Sequence, residues 1–287
     1  MRTGICTTDL KTMPAEQLFA KLNSLGTPVT QLSFASVAET GFIPDCNIEI
    51  PAEVDKDVIN LIKACAEKYR VEAAAVNGTF NMAHPDSRIR AEGLRRFEGF
   101  AHAVNCLGCR IATLCSGTRN TASLWAPHPE NGSDEAWRDM AETTAAAVKI
   151  AEKYNIVLAV ETEAANIIDT PEKARKLMDE TGSPNLKMIM DCANLFHPGE
   201  AKRENVRPVM HHAFDLFGRD VVIAHGKDIR ASDGIDFCGT GEGIVDFAYF
   251  AALLTEYDYQ GDMFLHGVYD EQKLPEAIRY FKAKSTC

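Results

Sequence analysis

A chain of 287 residues with 46% hydrophobic content is long enough for a large core and has nothing of a disordered polymer. Its formal net charge of −11 is spread along the chain and repels phosphate backbones, which argues against a nucleic-acid partner. No apolar run reaches the length of a membrane span, and the opening MRTGICTTDL lacks the basic, apolar, small-residue order of a secretion signal; a cytoplasmic protein without membrane partners is expected.

Thr3 to Thr8 reads as a short strand, followed by a helix from Pro14 to Leu25 closed by Gly26. Val29 to Phe34 is the second strand, and a loop rich in turn residues leads to a helix from Pro51 to about Tyr69. The third strand, Val71 to Val76, ends in the polar loop Asn77 to Asp86, and a helix from about Ser87 to Leu107 follows. Cys109 to Leu114 is the fourth strand, and Asp134 to Tyr154 an alanine-rich helix with a capping signal at Ser133.

Ile156 to Val160 and Leu186 to Met190 are apolar throughout and bounded by turn residues, as strands buried on both faces of a parallel sheet are. The helix between them starts near Pro171 and stops at Gly182. A helix from about Asn205 to Phe217, a strand from Val221 to Ala224, a loop containing Gly239, Gly241 and Gly243, and a helix from Val245 to Tyr257 come next. Met263 to Leu265 and a helix from Leu274 to Phe281 end the chain.

Eight successive strand–helix units without a linker predict a single (β/α)8 TIM barrel over residues 1–287. The only GxGxG-like stretch, Gly239 to Gly243, falls after the seventh strand, so it is no dinucleotide fingerprint; a plain turn before a helix is its expected role, with contact to a substrate phosphate as the alternative. Nine cysteines without a secretion signal fit reduced thiols, and Cys106 and Cys109 form a lone CxxC at a helix–strand junction, where packing accounts for them.

The C-terminal strand ends of such a barrel form its ligand face. There Glu161, Asp191, His225 and His266 close four consecutive strands, each about one strand–helix unit from the last. Two carboxylates and two imidazoles suit one divalent ion, with oxygen and nitrogen donors that argue against calcium and permit manganese, cobalt, zinc or iron. Glu163, two residues past Glu161, is placed to be a base or to support another ligand. Lys227 stands likewise to His225, either steadying an oxyanion or pairing with a neighbouring acid. Asn77, Asn81, His84, Arg119, Trp125 and His128 fall in the third and fourth loops, and an indole among hydrogen-bonding groups suits a polyhydroxylated ligand.

The strings VLAVETE, IMDCANLFHPG, IAHGKDI and GTGEGIVDF resemble the sugar phosphate isomerase/epimerase superfamily, the xylose isomerase-like barrels that include inosose dehydratases, ketose 3-epimerases and endonuclease-IV-like enzymes. The resemblance implies that Glu161, Asp191 and His225 hold a catalytic divalent metal, usually Mn2+, Co2+, Mg2+ or Zn2+, and that Asn194 helps to bind substrate hydroxyls. Where ketose epimerases carry a second glutamate this chain has His266, as a ligand or as an acid/base.

The expectation is therefore a metal-dependent isomerase or epimerase, Mn2+ being the first choice of ion, with Glu161, Glu163, His266 and Lys227 serving proton transfer next to a carbonyl of a ketose, keto-sugar or sugar acid. The alternative is a lyase or dehydratase that expels a β-oxygen substituent from the same enolate. An endonuclease-IV-like phosphodiesterase or a non-catalytic sugar-binding subunit ranks below both. A homodimer is the expected assembly.

Overall fold

The computed structural model describes residues 1–285. In chain order the elements are β1 (Thr3–Cys6), α1 (Ala15–Ser24), β2 (Val29–Leu32), α2 (Lys56–Tyr69), β3 (Glu72–Asn77), α3 (Ser87–Leu107), β4 (Ile111–Cys115), α4 (Asp134–Lys153) and β5 (Val157–Glu161). Then come α5 (Pro171–Thr181), β6 (Leu186–Asp191), α6 (Val206–Phe217), β7 (Val221–His225), the two-residue strands β8 (Asp228–Ile229) and β9 (Phe237–Cys238), α7 (Phe247–Glu256), β10 (Asp262–Leu265) and α8 (Leu274–Ser285). Eight strands close a parallel barrel in the order β1-β10-β7-β6-β5-β4-β3-β2, and β8 and β9 form a separate antiparallel pair beyond β7. No helix among the described residues is long and apolar enough to cross a membrane.

The helix ends follow local chemistry. Asp55 caps α2 by accepting the Asp57 N–H, so that helix begins at Lys56 and not at the expected Pro51. Thr170 caps α5, Pro171 opens it, and Gly182 closes it in the left-handed conformation. The β8/β9 pair is absent from the sequence expectation because two-residue strands show no periodicity. None of the eight described cysteines is in a disulfide; Cys109 is buried, with its thiol donating to the Ile111 carbonyl at 3.5 Å.

One core fills the space between sheet and helices. A second lies inside the barrel, formed by Cys6, Val29, Ala75, Ala159, Ile189, Ile223 and Phe264. Side chains along a strand alternate sides, so the residue two positions beyond each of these again points inward. Those residues are Thr8, Gln31, Asn77, Glu161, Asp191, His225 and His266. The apolar layer is the floor on which a polar layer rests.

Gly93 on α3 shows how tightly the outer core is packed. A Cβ there would meet the Phe80 ring at 2.2 Å, and Phe80 stacks in turn on Phe97, and Phe97 on Phe100. On an exposed helix face Gly→Ala stabilises by about 1 kcal/mol. Here overpacking reverses the sign, and Gly93→Ala is expected to lower stability by about 1–3 kcal/mol in urea denaturation.

Candidate active site

Glu161, Asp191 and His225 end three adjacent strands, β5, β6 and β7, and Asp191 lies directly beside His225 in the ladder. One ligand atom from each falls within 4.8 Å of the others. His225 Nδ1 is 3.3 Å from Glu161 Oε1 and 3.5 Å from Asp191 Oδ2. Asp191 is fully buried, and its Oδ2 has no hydrogen bond, only the approaches of His225 and of Lys227 Nζ at 3.6 Å.

The orientation of His225 is set from behind. Thr113 Oγ1 and Gln31 Nε2 both donate to Asn77 Oδ1, at 2.8 and 3.0 Å. That fixes the Gln31 amide with Oε1 toward His225 Nε2 at 3.0 Å. The Nε2 hydrogen is thereby engaged, and Nδ1 is the ring atom turned to the two carboxylates, shared by a proton or free to ligate a cation that replaces it. Burial opposes a charge on His225, yet facing Glu161 raises its pKa well above 6.5. Burial likewise opposes ionisation of Asp191, but Lys227 and His225 hold its carboxyl below the usual range. Two carboxylates around one imidazole nitrogen, with a buried carboxylate oxygen lacking a donor, fit a divalent cation in place of the shared proton.

Lys227 is buried and paired with Asp191, and its ammonium sits 4.1 Å over the Phe237 ring of β9. Burial opposes its charge, but Asp191, Glu163 and Glu161 outweigh that and raise its pKa. Glu163 lies beyond the end of β5, and its carboxyl is pushed up to about 7, by burial first and by Glu161 and Asp191 next, against Lys227. Asn194 is buried and donates to Glu161 Oε1 at 2.7 Å, which makes it a brace for that carboxylate.

A cavity of about 480 Å³ opens over this layer, lined by Glu161, His225, His266, Gln31, Asn77 and Thr113 at its polar end. His266 is not within ligating range of the triad: its Nδ1 pairs with Asp9 Oδ1 at 3.1 Å, and its ring centre is 5.4 Å from that of His225. Asp9 is itself fixed, its Oδ2 accepting the Val268 N–H. Trp125 lines the cavity, with its indole N–H donating to Glu49 at 2.7 Å.

Three other expected substrate contacts lie outside the cavity. Arg119 is buried against Asp139 at 2.6 Å and the Ala83 carbonyl at 3.2 Å, which uses its guanidinium inside the loop layer. His84 and His128 each accept a backbone N–H through Nδ1, from Asp86 and Glu130, and so cap local turns. Asn81 ties the same loops together through Asn47 and Thr118. Gln31, Thr113 and Asp9 were missing from the sequence expectation; the first two share the inward parity of Asn77 and Glu161 along their strands.

The glycine loop after β9 takes a definite form. Asp228 accepts the N–H groups of Gly241, Gly243 and Val245 at 2.9–3.0 Å, so a carboxylate already fills the nest in which a phosphate would sit. Gly243 is required there, since a Cβ would meet Asp228 Oδ1 at 2.3 Å.

A model of the xylose isomerase-like TIM barrel family matches residues 34–284. An inosose dehydratase of Geobacillus kaustophilus (strain HTA426) is 23% identical over 194 residues, which is 61% of this chain and 61% of that relative, so the chain spans less than two thirds of its length. A D-tagatose 3-epimerase-like protein superposes with a TM-score of 0.75 at 16% identity, over 99% of this chain and 97% of that one. An IOLI protein with a binding zinc atom gives a TM-score of 0.72 at 15% identity, over 99% and 96%. At such identities the two structures show a shared fold.

Protein purified without added metal is expected to carry about one divalent ion per chain by elemental analysis, and Asp191→Ala to lose it. Gln31→Ala should weaken binding in a metal titration by about 10-fold or more, because His225 loses its fixed tautomer. His266→Ala should keep the ion; its loss there would add His266 to the ligand set.

Proposed function

The chain belongs to the xylose isomerase-like TIM barrel family, and from that premise we propose that it is a divalent-metal-dependent isomerase or epimerase that moves a proton next to a carbonyl of a ketose, keto-sugar or sugar acid. The observation that carries this reading is the polar layer at the barrel mouth, where Glu161, Asp191 and His225 converge and His266 faces the same cavity. Glu161, Asp191 and His225 would hold the ion, with Mn2+ as the first to test. When bound, a divalent cation polarises a carbonyl and an adjacent hydroxyl and offsets the negative charge left by proton loss.

The chain's own groups would do the rest. Glu161 on β5 and His266 beyond β10 are three strand positions apart around the eight-stranded ring, so they reach the cavity from different sides. A proton taken by one and returned by the other inverts a stereocentre. Asp9 orients His266 Nδ1, which leaves Nε2 as the atom that exchanges the proton. Asn194 steadies Glu161, and Lys227, through Asp191, keeps positive potential under the reacting carbonyl. Glu163, two residues past Glu161 and beside Lys227, serves as a further base or supports a ligand from behind this layer.

A lyase is the second reading, favoured by one observation: His266 at the cavity is paired with Asp9, and an imidazole paired with a carboxylate is a good acid for a departing oxygen. The inosose dehydratase relative agrees with it. A phosphodiesterase built on several ions gains no support, since among the described residues one group of three metal-competent side chains converges.

Incubation of the metal-loaded protein with ketoses and keto-sugars in deuterated water distinguishes these. Deuterium at a stereocentre with the formula otherwise kept is the expected result, whereas loss of water would assign the lyase reading. No exchange with any ketose, keto-sugar or sugar acid would remove both. His266→Gln is expected to slow exchange by about 10²-fold or more while the ion stays bound.

A further inference from the structure

Five large hydrophobic side chains stand exposed among the described residues, and three of them, Ile43 (85%), Trp125 (48%) and Tyr269 (72%), line the single cavity over the polar layer. They come from three separate loops, after β2, β4 and β10. Scattered exposed hydrophobics need no explanation, but convergence of three on one opening does. Phe42, Pro44 and Leu10 add to the same wall. The cavity is therefore amphiphilic, with hydrogen-bonding groups at its floor and an apolar collar at its mouth.

The Trp125 part of the collar is also held still. Trp125 Nε1 is fixed on Glu49, the Leu124 N–H donates to the Cys46 carbonyl at 2.9 Å, and Asn47 Nδ2 donates to the Thr121 carbonyl at 3.1 Å. The loop after β4 is thereby laced to the loop after β2, and the indole keeps its position while much of its face remains in water. Ordering an aromatic ring in advance favours a ligand that covers it. The C–H face of one sugar ring covers one aromatic side chain, whereas this collar offers three exposed apolar side chains from three loops.

We propose that the mouth is a subsite for an apolar, planar group attached to the polyol, so that the substrate is a keto-sugar joined through a glycosidic bond to an apolar aglycone. This rests on the reading of the floor as a carbohydrate site. Burial of a ring against Trp125 and Ile43 adds affinity for such a conjugate without any change at the metal triad.

The test compares phenyl β-D-glucoside with methyl β-D-glucoside by calorimetry on the full-length, manganese-loaded protein. The phenyl glucoside is expected to bind about 10-fold or more tightly than the methyl one. Trp125→Ala and, independently, Ile43→Ser should each bring the pair to within about threefold of one another, with metal content unchanged as the check that the floor is intact. Equal affinities in the wild type, or a preference that survives both substitutions, would overturn the proposal. So would a dimer that dissociates on Ile43→Ser, since the collar would then face a second copy. If neither glucoside binds while deuterium exchange on free ketoses persists, the subsite is lost and the function above stands; loss of the ion and of exchange would instead remove the function itself.

Discussion

A carboxylate with no exposure to water is costly unless positive charge reaches it, and the barrel mouth is organised around that cost at Asp191. Lys227 approaches one side and His225 the other, each from β7 or the residues just after it. Neither cation is free to leave. Lys227 is buried under Phe237, and His225 is held by Gln31, which is held by Asn77 and Thr113. The chain of dependence thus runs around the barrel from β7 through β2 and β3 to β4, so the position of one imidazole nitrogen depends on four strands. A site tuned in this way has little freedom to reorganise when a charged ligand arrives, which is the condition under which electrostatic stabilisation is most effective.

Much of this was legible because of strand parity. Short apolar runs ending in Glu161, Asp191 and His225 announce both buried strands and the chemistry at their ends. Gln31 and Thr113 carry no charge and lie inside their strands, so neither residue type nor a strand end marks them. Counting two positions on from Val29 and Ile111 places both on the inner face with the rest. Arg119 misled for a different reason: its partner Asp139 lies on α4, and no local signal says that a loop arginine will turn inward toward a helix. Asp9 is also invisible in the sequence, since its pairing with His266 joins the first and last turns of the chain. The start of α2 and the β8/β9 pair were lost to the usual ambiguity of short elements, without consequence for the mouth.

The division of the cavity into floor and collar follows from where each part is rooted. Floor residues stand on strands, whose register is fixed by the inner apolar core. Collar residues stand on loops, which tolerate substitution and insertion far better. Change in the collar loops therefore leaves the strand positions of Glu161, Asp191 and His225 as they are.

The Asp228 carboxylate bears on how such a protein changes over generations. It occupies a cradle of three backbone N–H groups that lies between β9 and α7. Those donors are built into the glycine loop and would outlast the side chain that now satisfies them. Exchange of this one aspartate for a small neutral residue would expose a ready anion nest beside the barrel mouth, at the place where many barrels hold a phosphoryl group. A mouth without an anion nest and a mouth with one are then neighbours in sequence space, separated by a single codon, with the cost of the change falling on loop stability and not on Glu161, Asp191 and His225.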